Sequence, residues 1–252
     1  MRKLLFIIVL ISNSIGYAQP INKADYFEEI KERNISHLFI YDDSAINEPQ
    51  PIGYIGDNFM RFRIKFISII KNPLDSTEYL IYGKTKVKNN ICSFQGKLTI
   101  DDAITYNDEN EYPGENTLFG QVSGQYIFFE DQTHSGTGIF NGTFETYFSL
   151  NKNNEIIYGD LTGSSNNQFK GKWTKYKTLK SIKCNWGDFR IPDSGDLDIG
   201  EGDFIPANKY KNNGWESYIL GFGNFIDDVP VDDNRRLQGL RIEKEKWWID
   251  NK

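Results

Sequence analysis

The chain has few of the residues that most often form metal sites and nucleophile sites. Its 252 residues include two cysteines and two histidines, His37 and His134. No H-E-x-x-H or C-x-x-C motif occurs, so the sequence holds no candidate zinc constellation. The G-x-S-x-G elbow, the P-loop and the G-x-G-x-x-G fingerprint are also missing, which leaves α/β-hydrolase, nucleotide-binding and dinucleotide-binding functions without support.

Positive charge and long apolar runs are scarce as well. Lysine and arginine number 29 against 35 aspartates and glutamates, for a formal net charge of -6. This balance argues against a nucleic-acid partner and against adsorption to anionic membranes. The clearest apolar run, Leu4 to Ile11, is far shorter than the roughly 20 residues that a membrane-spanning helix needs. We therefore expect no membrane-spanning segment.

The first residues have the pattern of a secretory signal peptide. Arg2 and Lys3 precede the apolar run, and a short polar stretch ends in the small residue Ala18. This order predicts a signal peptide over residues 1–18 that is cleaved near Ala18, with an N-terminal core strand as the alternative. The sequence therefore predicts a secreted or periplasmic protein.

A two-residue alternation of apolar and polar side chains runs through the middle of the chain. In residues 59–70, phenylalanine and isoleucine alternate with arginine and lysine, which is typical of a strand with one buried face. Residues 78–87 and 91–100 repeat this pattern on either side of a turn and predict a hairpin. The eight predicted strands lie in ISHLFIY, FMRFRIKFISII, EYLIYGKTKV, NNICSFQGKLTI, FGQVSGQYIFFE, GIFNGTFETYFSL, EIIYGDL and QFKGKWTKY.

Eight short strands without helices between them favour an all-β fold. Crossover helices are missing, so the strands are expected to be antiparallel. Closing them into an up-and-down β-barrel would remove the two exposed edges, and a two-sheet β-sandwich is the alternative. Mid-strand glycines such as Gly83 and Gly96 fit bends or interior positions where volume must be saved. The eight-run meander resembles lipocalin-like barrels in fold alone, and this likeness carries no function.

The rest of the chain predicts short helices and a loop-rich extension. Residues 22–34 have the apolar spacing of a short amphipathic helix, so residues 19–177 are expected to form the barrel domain with an N-terminal helix. Residues 178–252 are rich in glycine, aspartate and asparagine. They are expected to pack on the barrel and to end in a helix with Asp233 available as its cap.

An acidic stretch in this extension raises the question of a metal ion. Asp196 and Asp198 have the alternating spacing of a calcium loop, but Gly200 occupies the next ligand position and no glutamate stands at the twelfth place. An EF-hand is therefore excluded. An irregular calcium site of Asp193, Asp196 and Asp198 is one interpretation, and a loop of Asx turns is the other. No other cofactor is predicted.

Cys92 and Cys184 are the only cysteines. In an oxidising compartment an even number of cysteines favours a disulfide, which here would close a loop of about 90 residues. The alternative is that Cys92 is a small core residue, because it shares its side of a strand with Phe94 and Leu98.

Four side chains are the candidate ligand-binding residues. Trp173, Trp186 and Trp215 lie near glycine and asparagine, where exposed rings could stack on a sugar or close a pocket, and His134 lies in a turn-like segment. The alternative is that these aromatic residues belong to the core.

These observations predict an exported protein that is not an enzyme. It would bind a small apolar ligand or a protein partner, such as another envelope protein, on a β-barrel scaffold. The alternative is a secreted carbohydrate-binding or carbohydrate-active protein with a calcium site. Paired carboxylates for glycoside hydrolysis need only meet in space, and the 35 acidic residues give no way to choose a pair from sequence.

Overall fold

The computed structural model describes residues 22–40, 51–107, 118–159 and 165–249, so the predicted signal peptide lies outside the described residues. The strands are β1 (Asn22–Asp25), β2 (Ile52–Ile55), β3 (Met60–Lys71), β4 (Glu78–Val87), β5 (Asn90–Asn107), β6 (Leu118–Glu130), β7 (Gly138–Leu150), β8 (Ile156–Tyr158), β9 (Asn166–Lys175), β10 (Ser181–Asp188), β11 (Phe225–Ile226) and β12 (Val229–Pro230). The α-helices are α1 (Phe27–Glu32), α2 (Glu216–Phe222) and α3 (Asp233–Glu243), and short 3₁₀ turns lie at Ser36–Leu38, Gly195–Leu197 and Asn208–Asn213.

Eight strands pair into a closed ring. The order β2, β3, β4, β5, β6, β7, β9, β10 follows the chain, and β10 pairs with β2 to complete the circuit. Every pairing is antiparallel. β1 adds to β5 and β8 adds to β7 outside the ring. The predicted antiparallel all-β fold is confirmed.

The ring contains two strands that the sequence pattern did not predict. Every residue of β2 is buried, and so are the last five of β10, because one face of each strand lies inside the ring and the other lies under the C-terminal extension. Strands buried on both faces do not show polar alternation. Conversely, the prediction of a strand in ISHLFIY is wrong, because this segment contains a 3₁₀ turn at Ser36–Leu38. The ring runs to Asp188, past the predicted domain boundary at residue 177.

Aromatic side chains fill the middle of the ring. Trp186 stacks on Phe169 with ring centroids 4.8 Å apart, and Tyr126 and Phe128 pack against the same indole. Inward glycines leave room for these rings, since a Cβ on Gly83 would stand 2.5 Å from the Phe94 ring. The interior is therefore packed with side chains rather than open along its length.

The N-terminal segment packs into one end of the ring. The Phe39 ring makes edge contacts with Phe144 and Phe169, and the backbone N–H of Ile35 donates to the Tyr79 hydroxyl at 3.1 Å. The helix predicted over 22–34 is shorter in the structure, because its first residues form β1 and only α1 is helical.

The C-terminal extension covers the outer face of the ring at β2 and β3. Trp215 and Phe204 form a second apolar cluster with Ile52, which points outward from β2. The predicted terminal helix is confirmed as α3, but its cap is Asp232 rather than Asp233, since the Asp232 carboxylate accepts from the N–H of Arg235 at 3.0 Å. Among the described residues, no helix has both the length and the apolar character needed to cross a membrane.

Candidate functional site

A pocket lies at the end of the ring opposite the N-terminal segment. Four connections meet there, at residues 56–59, 88–89, 131–137 and 176–180, and we call this end the ring mouth. The ring-mouth pocket has a volume of about 350 Å³. Its lining residues are Ile55, Met60, Thr85, Val87, Lys88, Asn90, Cys92, Glu130, Gly136, Phe140, Trp173 and Ile182.

The larger concave site is a groove near the N-terminal segment. It measures about 430 Å³ and is lined by Arg33, Asn34, His37, Glu155, Ile156 and Ile157. His37 forms a hydrogen bond with the backbone there, since its Nε2 lies 2.8 Å from the carbonyl oxygen of Ile156. The Arg33 guanidinium likewise donates to the carbonyl of Asn154. The residues that line this groove include no phenylalanine, tyrosine or tryptophan, so the ring mouth is the better candidate for a small apolar ligand.

Glu130 is the central polar group of the ring mouth. It is the last residue of β6, and only 6% of its surface is exposed. Its Oε1 accepts from the Thr85 hydroxyl at 2.5 Å, and its Oε2 accepts from the N–H of Gly138 and from the indole N–H of Trp173, both at 2.9 Å. These donors belong to three other strands, so one carboxylate joins four strands of the ring.

The Glu130 carboxylate has no cationic partner within ion-pair distance among the residues that the structure describes. Burial raises the pKa of Glu130 above its ordinary value, and the hydrogen bonds from Thr85, Trp173 and Gly138 oppose that rise. Loss of solvent disfavours the charged form, whereas donors to the carboxylate favour it. The ring mouth therefore holds an acidic group whose charge is only partly compensated.

Trp173 is the one candidate ligand-binding tryptophan that lines the pocket. It is partly buried, and its indole N–H points at Glu130. Trp186 and Trp215 are instead 1% and 0% exposed, in the ring interior and in the second apolar cluster. His134 is exposed in the 131–137 connection, with Nδ1 3.5 Å from an Asp131 carboxylate oxygen.

The predicted disulfide is not formed, because Cys92 and Cys184 are both free and buried. They lie on β5 and β10, which are four strands apart in either direction around the ring. Eight strands spaced about 4.8 Å apart enclose a ring at least about 12 Å across, whereas a disulfide needs Cα atoms within about 7 Å. Burial and the nearby Glu130 raise the pKa of Cys92 to about 11, so this thiol is a poor nucleophile.

The three aspartates predicted to bind calcium have separate partners. Asp198 accepts from Arg190 at 2.6 Å and from the N–H of Gly200 at 3.0 Å. The Asp196 carboxylate binds the Lys209 ammonium and the Tyr210 hydroxyl.

Asp193 has a φ of 53°, and its carbonyl accepts from the Tyr54 hydroxyl at 2.9 Å. In the part of the chain that the structure describes, no three or more His, Cys, Asp or Glu side chains gather where they could hold a metal ion. The contacts of this loop tie the extension to itself and to the ring.

Sequence reasoning missed Glu130, although the strand pattern contains a signal for it. Tyr126 and Phe128 point inward, and Glu130 follows them at the same two-residue period. An acidic residue at an inward position of a predicted strand is unusual, because ionised side chains are rarely buried without a partner.

The ring mouth thus combines apolar walls, one aromatic donor and one buried carboxylate. This set can bind and orient a small molecule, and the raised pKa of the Cys92 thiol leaves it poorly suited to covalent catalysis. Comparison of this chain with protein-family models, curated proteins and solved structures finds no match.

Proposed function

We propose that this protein is a non-enzymatic binding protein whose eight-stranded ring is an up-and-down β-barrel with a small-ligand site at the ring mouth. The observation that carries the proposal is the pocket of about 350 Å³, with mainly apolar walls around the buried Glu130 carboxylate. Ligand pockets are commonly about 300–1,000 Å³, mostly apolar, with a few placed polar groups. Export to the periplasm or to the outside of the cell is proposed from the signal-peptide pattern.

The packed interior limits the size of the ligand. The layer around Trp186 and Phe169 forms a floor beneath the pocket, so a bound molecule would stay near the ring mouth. A long acyl chain would have to displace these rings, and displacing well-packed core aromatics is costly. Small compact molecules therefore fit the site better than extended lipids.

Two observations support a small-ligand-binding protein over a carbohydrate-binding or carbohydrate-active protein. Two of the three tryptophans considered for a sugar site, Trp186 and Trp215, are fully covered and offer no face on which a sugar could stack. Of the residues lining the pocket, Glu130 is the only carboxylate, so the ring mouth lacks the acid pair that glycoside hydrolysis requires.

A thermal-shift and calorimetric test with 2-phenylethanol, a small neutral aromatic alcohol, addresses the proposal directly. We expect saturable binding that Val87→Phe weakens at least about tenfold, because the larger ring occupies the ring mouth. Ile91→Phe is the matched control in the same hairpin, since Ile91 is 38% exposed and does not line the pocket. Binding that both variants leave intact, or no binding by the wild type, would contradict the proposed site.

A further inference from the structure

We propose that the ring mouth selects ligands that carry a protonated amine, with the Glu130 carboxylate as the counter-ion. This inference rests on the proposed ligand-binding function and names the class of ligand. It combines three observations on the pocket: the charge of Glu130, the free acceptor capacity of its carboxylate and the aromatic wall.

The first observation is the charge balance inside the pocket. The three donors to Glu130 are a hydroxyl, a backbone N–H and an indole N–H, all of them neutral. A buried carboxylate is normally paired with a cation, because removing its charge from water is costly. A cationic group on the ligand would pair with this carboxylate, whose donors among the described residues are all neutral.

The second observation is that the carboxylate is not saturated. Of the residues that the structure describes, two donate to Oε2 and one, Thr85, donates to Oε1. A carboxylate accepts about four hydrogen bonds, two at each oxygen, so Oε1 retains capacity for one more donor. An ammonium group has three N–H donors and can fill that position while it brings its charge.

The third observation is the composition of the walls. Phe140 and Trp173 line the same pocket as Glu130, and aromatic faces attract cations within about 6 Å of the ring centre. Lys88 is the only basic residue of the lining, and it is exposed at the tip of the β4–β5 hairpin. Its charge repels a cation at the rim, so the favoured orientation places the amine toward Glu130.

Two probe ligands of nearly equal shape separate the contribution of ligand charge to binding from that of apolar contact. Phenethylamine and 2-phenylethanol differ in whether an ammonium or a hydroxyl ends the side chain. We expect calorimetry at neutral pH to show that the wild-type protein binds phenethylamine at least about tenfold more tightly than 2-phenylethanol. This comparison uses only the wild-type protein, so it does not depend on the folding of a variant.

Two variants assign the preference to specific residues. Glu130→Gln keeps the shape and one acceptor but removes the charge, so the ratio of the phenethylamine affinity to the 2-phenylethanol affinity should fall to within about threefold. Lys88→Asn removes the repelling charge and should strengthen phenethylamine binding by a few-fold. Asparagine is chosen because residue 88 has a φ of 54°, which asparagine tolerates.

The outcomes distinguish this inference from the function on which it rests. If neither probe binds, both proposals fail. If the two probes bind equally well, the ligand site stands and the selection of amines is overturned. A preference for the amine that persists in Glu130→Gln would also overturn it, because the counter-ion would then be another group.

Discussion

Two buried glutamates of this protein have opposite surroundings. Glu243 ends α3, and its carboxylate accepts from Arg63 at 2.7 Å, from Arg61 at 3.2 Å and from the Ser217 hydroxyl at 2.5 Å. In the described part of the chain, the three groups that donate to Glu130 at the ring mouth are all neutral. Both are almost fully covered, with 7% of the Glu243 side chain and 6% of Glu130 exposed.

This difference in partners indicates that Glu243 has a structural role and that Glu130 is a candidate ligand-binding residue. Glu243 meets two cations and so joins the extension to the ring through Arg61 and Arg63 on β3. The Arg61 guanidinium also lies 4.3 Å from the Trp215 ring centre, and burial lowers the pKa of Arg61 to about 10. Among the described residues Glu130 has no such partner, and in our proposal the amine of a ligand supplies the compensating charge.

The largest effect is expected from breaking the paired acid. Glu243→Gln removes the negative charge between Arg61 and Arg63 and leaves two arginines without their counter-ion. Loss of one partner of a buried ion pair typically costs about 3–5 kcal/mol, and urea unfolding followed by fluorescence would measure the change in the free energy of unfolding.

Glu245→Gln is the matched control for this measurement. Glu245 lies two residues further along, its side chain is 62% exposed, and it stands 3.7 Å from Lys86. Surface pairs contribute about 0–1 kcal/mol, so this variant should remain close to the wild type. If the two substitutions lower the free energy of unfolding equally, the ion pairs of Glu243 with Arg61 and Arg63 do not hold the extension in place.

A second prediction concerns the pH dependence that the unpaired acid imposes. Because burial raises the pKa of Glu130, the folded state binds its proton more tightly than the unfolded state does. The stability that Glu130 contributes is therefore full below the ordinary glutamate pKa and is lost as the pH rises through the raised one. Glu130→Gln should lack this fall, which urea midpoints of both proteins measured from pH 4 to 8 would detect.

Parallel pH profiles of the wild type and Glu130→Gln would contradict that expectation. They would mean that the donors Thr85, Trp173 and Gly138 compensate the buried charge completely. The buried charge of Glu130 would then be as well compensated as that of Glu243, and the two glutamates would not differ electrostatically. The pocket itself would be unaffected.

The smallest expected effect uses Cys92 as a reporter of the charge at the ring mouth. Burial and then the Glu130 charge raise the pKa of this thiol to about 11. Glu130→Gln should lower it and speed iodoacetamide alkylation of Cys92 by a few-fold at pH 8, because the thiolate is the reacting form. Peptide mass spectrometry would locate the label, and an unchanged rate at Cys92 would count against a charged Glu130.

The sequence predicted the strand pattern better than it predicted the site. Alternation identified the inward residues of β4 and β5, such as Ile81 and Leu98, because one face of those strands is polar. It failed for β2 and β10, whose two faces are both buried. The predicted number of ring strands, eight, is correct, but two of the strands differ. The predicted strands at β8 and at ISHLFIY do not belong to the ring, and β2 and β10 take their places.

The site could not be assembled from sequence because its parts meet only through strand register. Thr85, Gly138 and Trp173 reach Glu130 from three separate strands, and no spacing along the chain relates them. Two of the three tryptophans proposed as ligand residues are core residues, as the alternative interpretation had it. Glycine-rich surroundings do not distinguish an exposed ring from a buried one.

Closure of the ring also has a consequence for the order of folding. The last contact, between β2 and β10, includes the hydrogen bond from Asn185 to Tyr54, which are 131 residues apart in the chain. Pairings of such long sequence separation slow folding, toward the millisecond-to-second range of all-β domains. During synthesis β2 is made early and β10 much later, so the ring can close only after most of the chain has been synthesised.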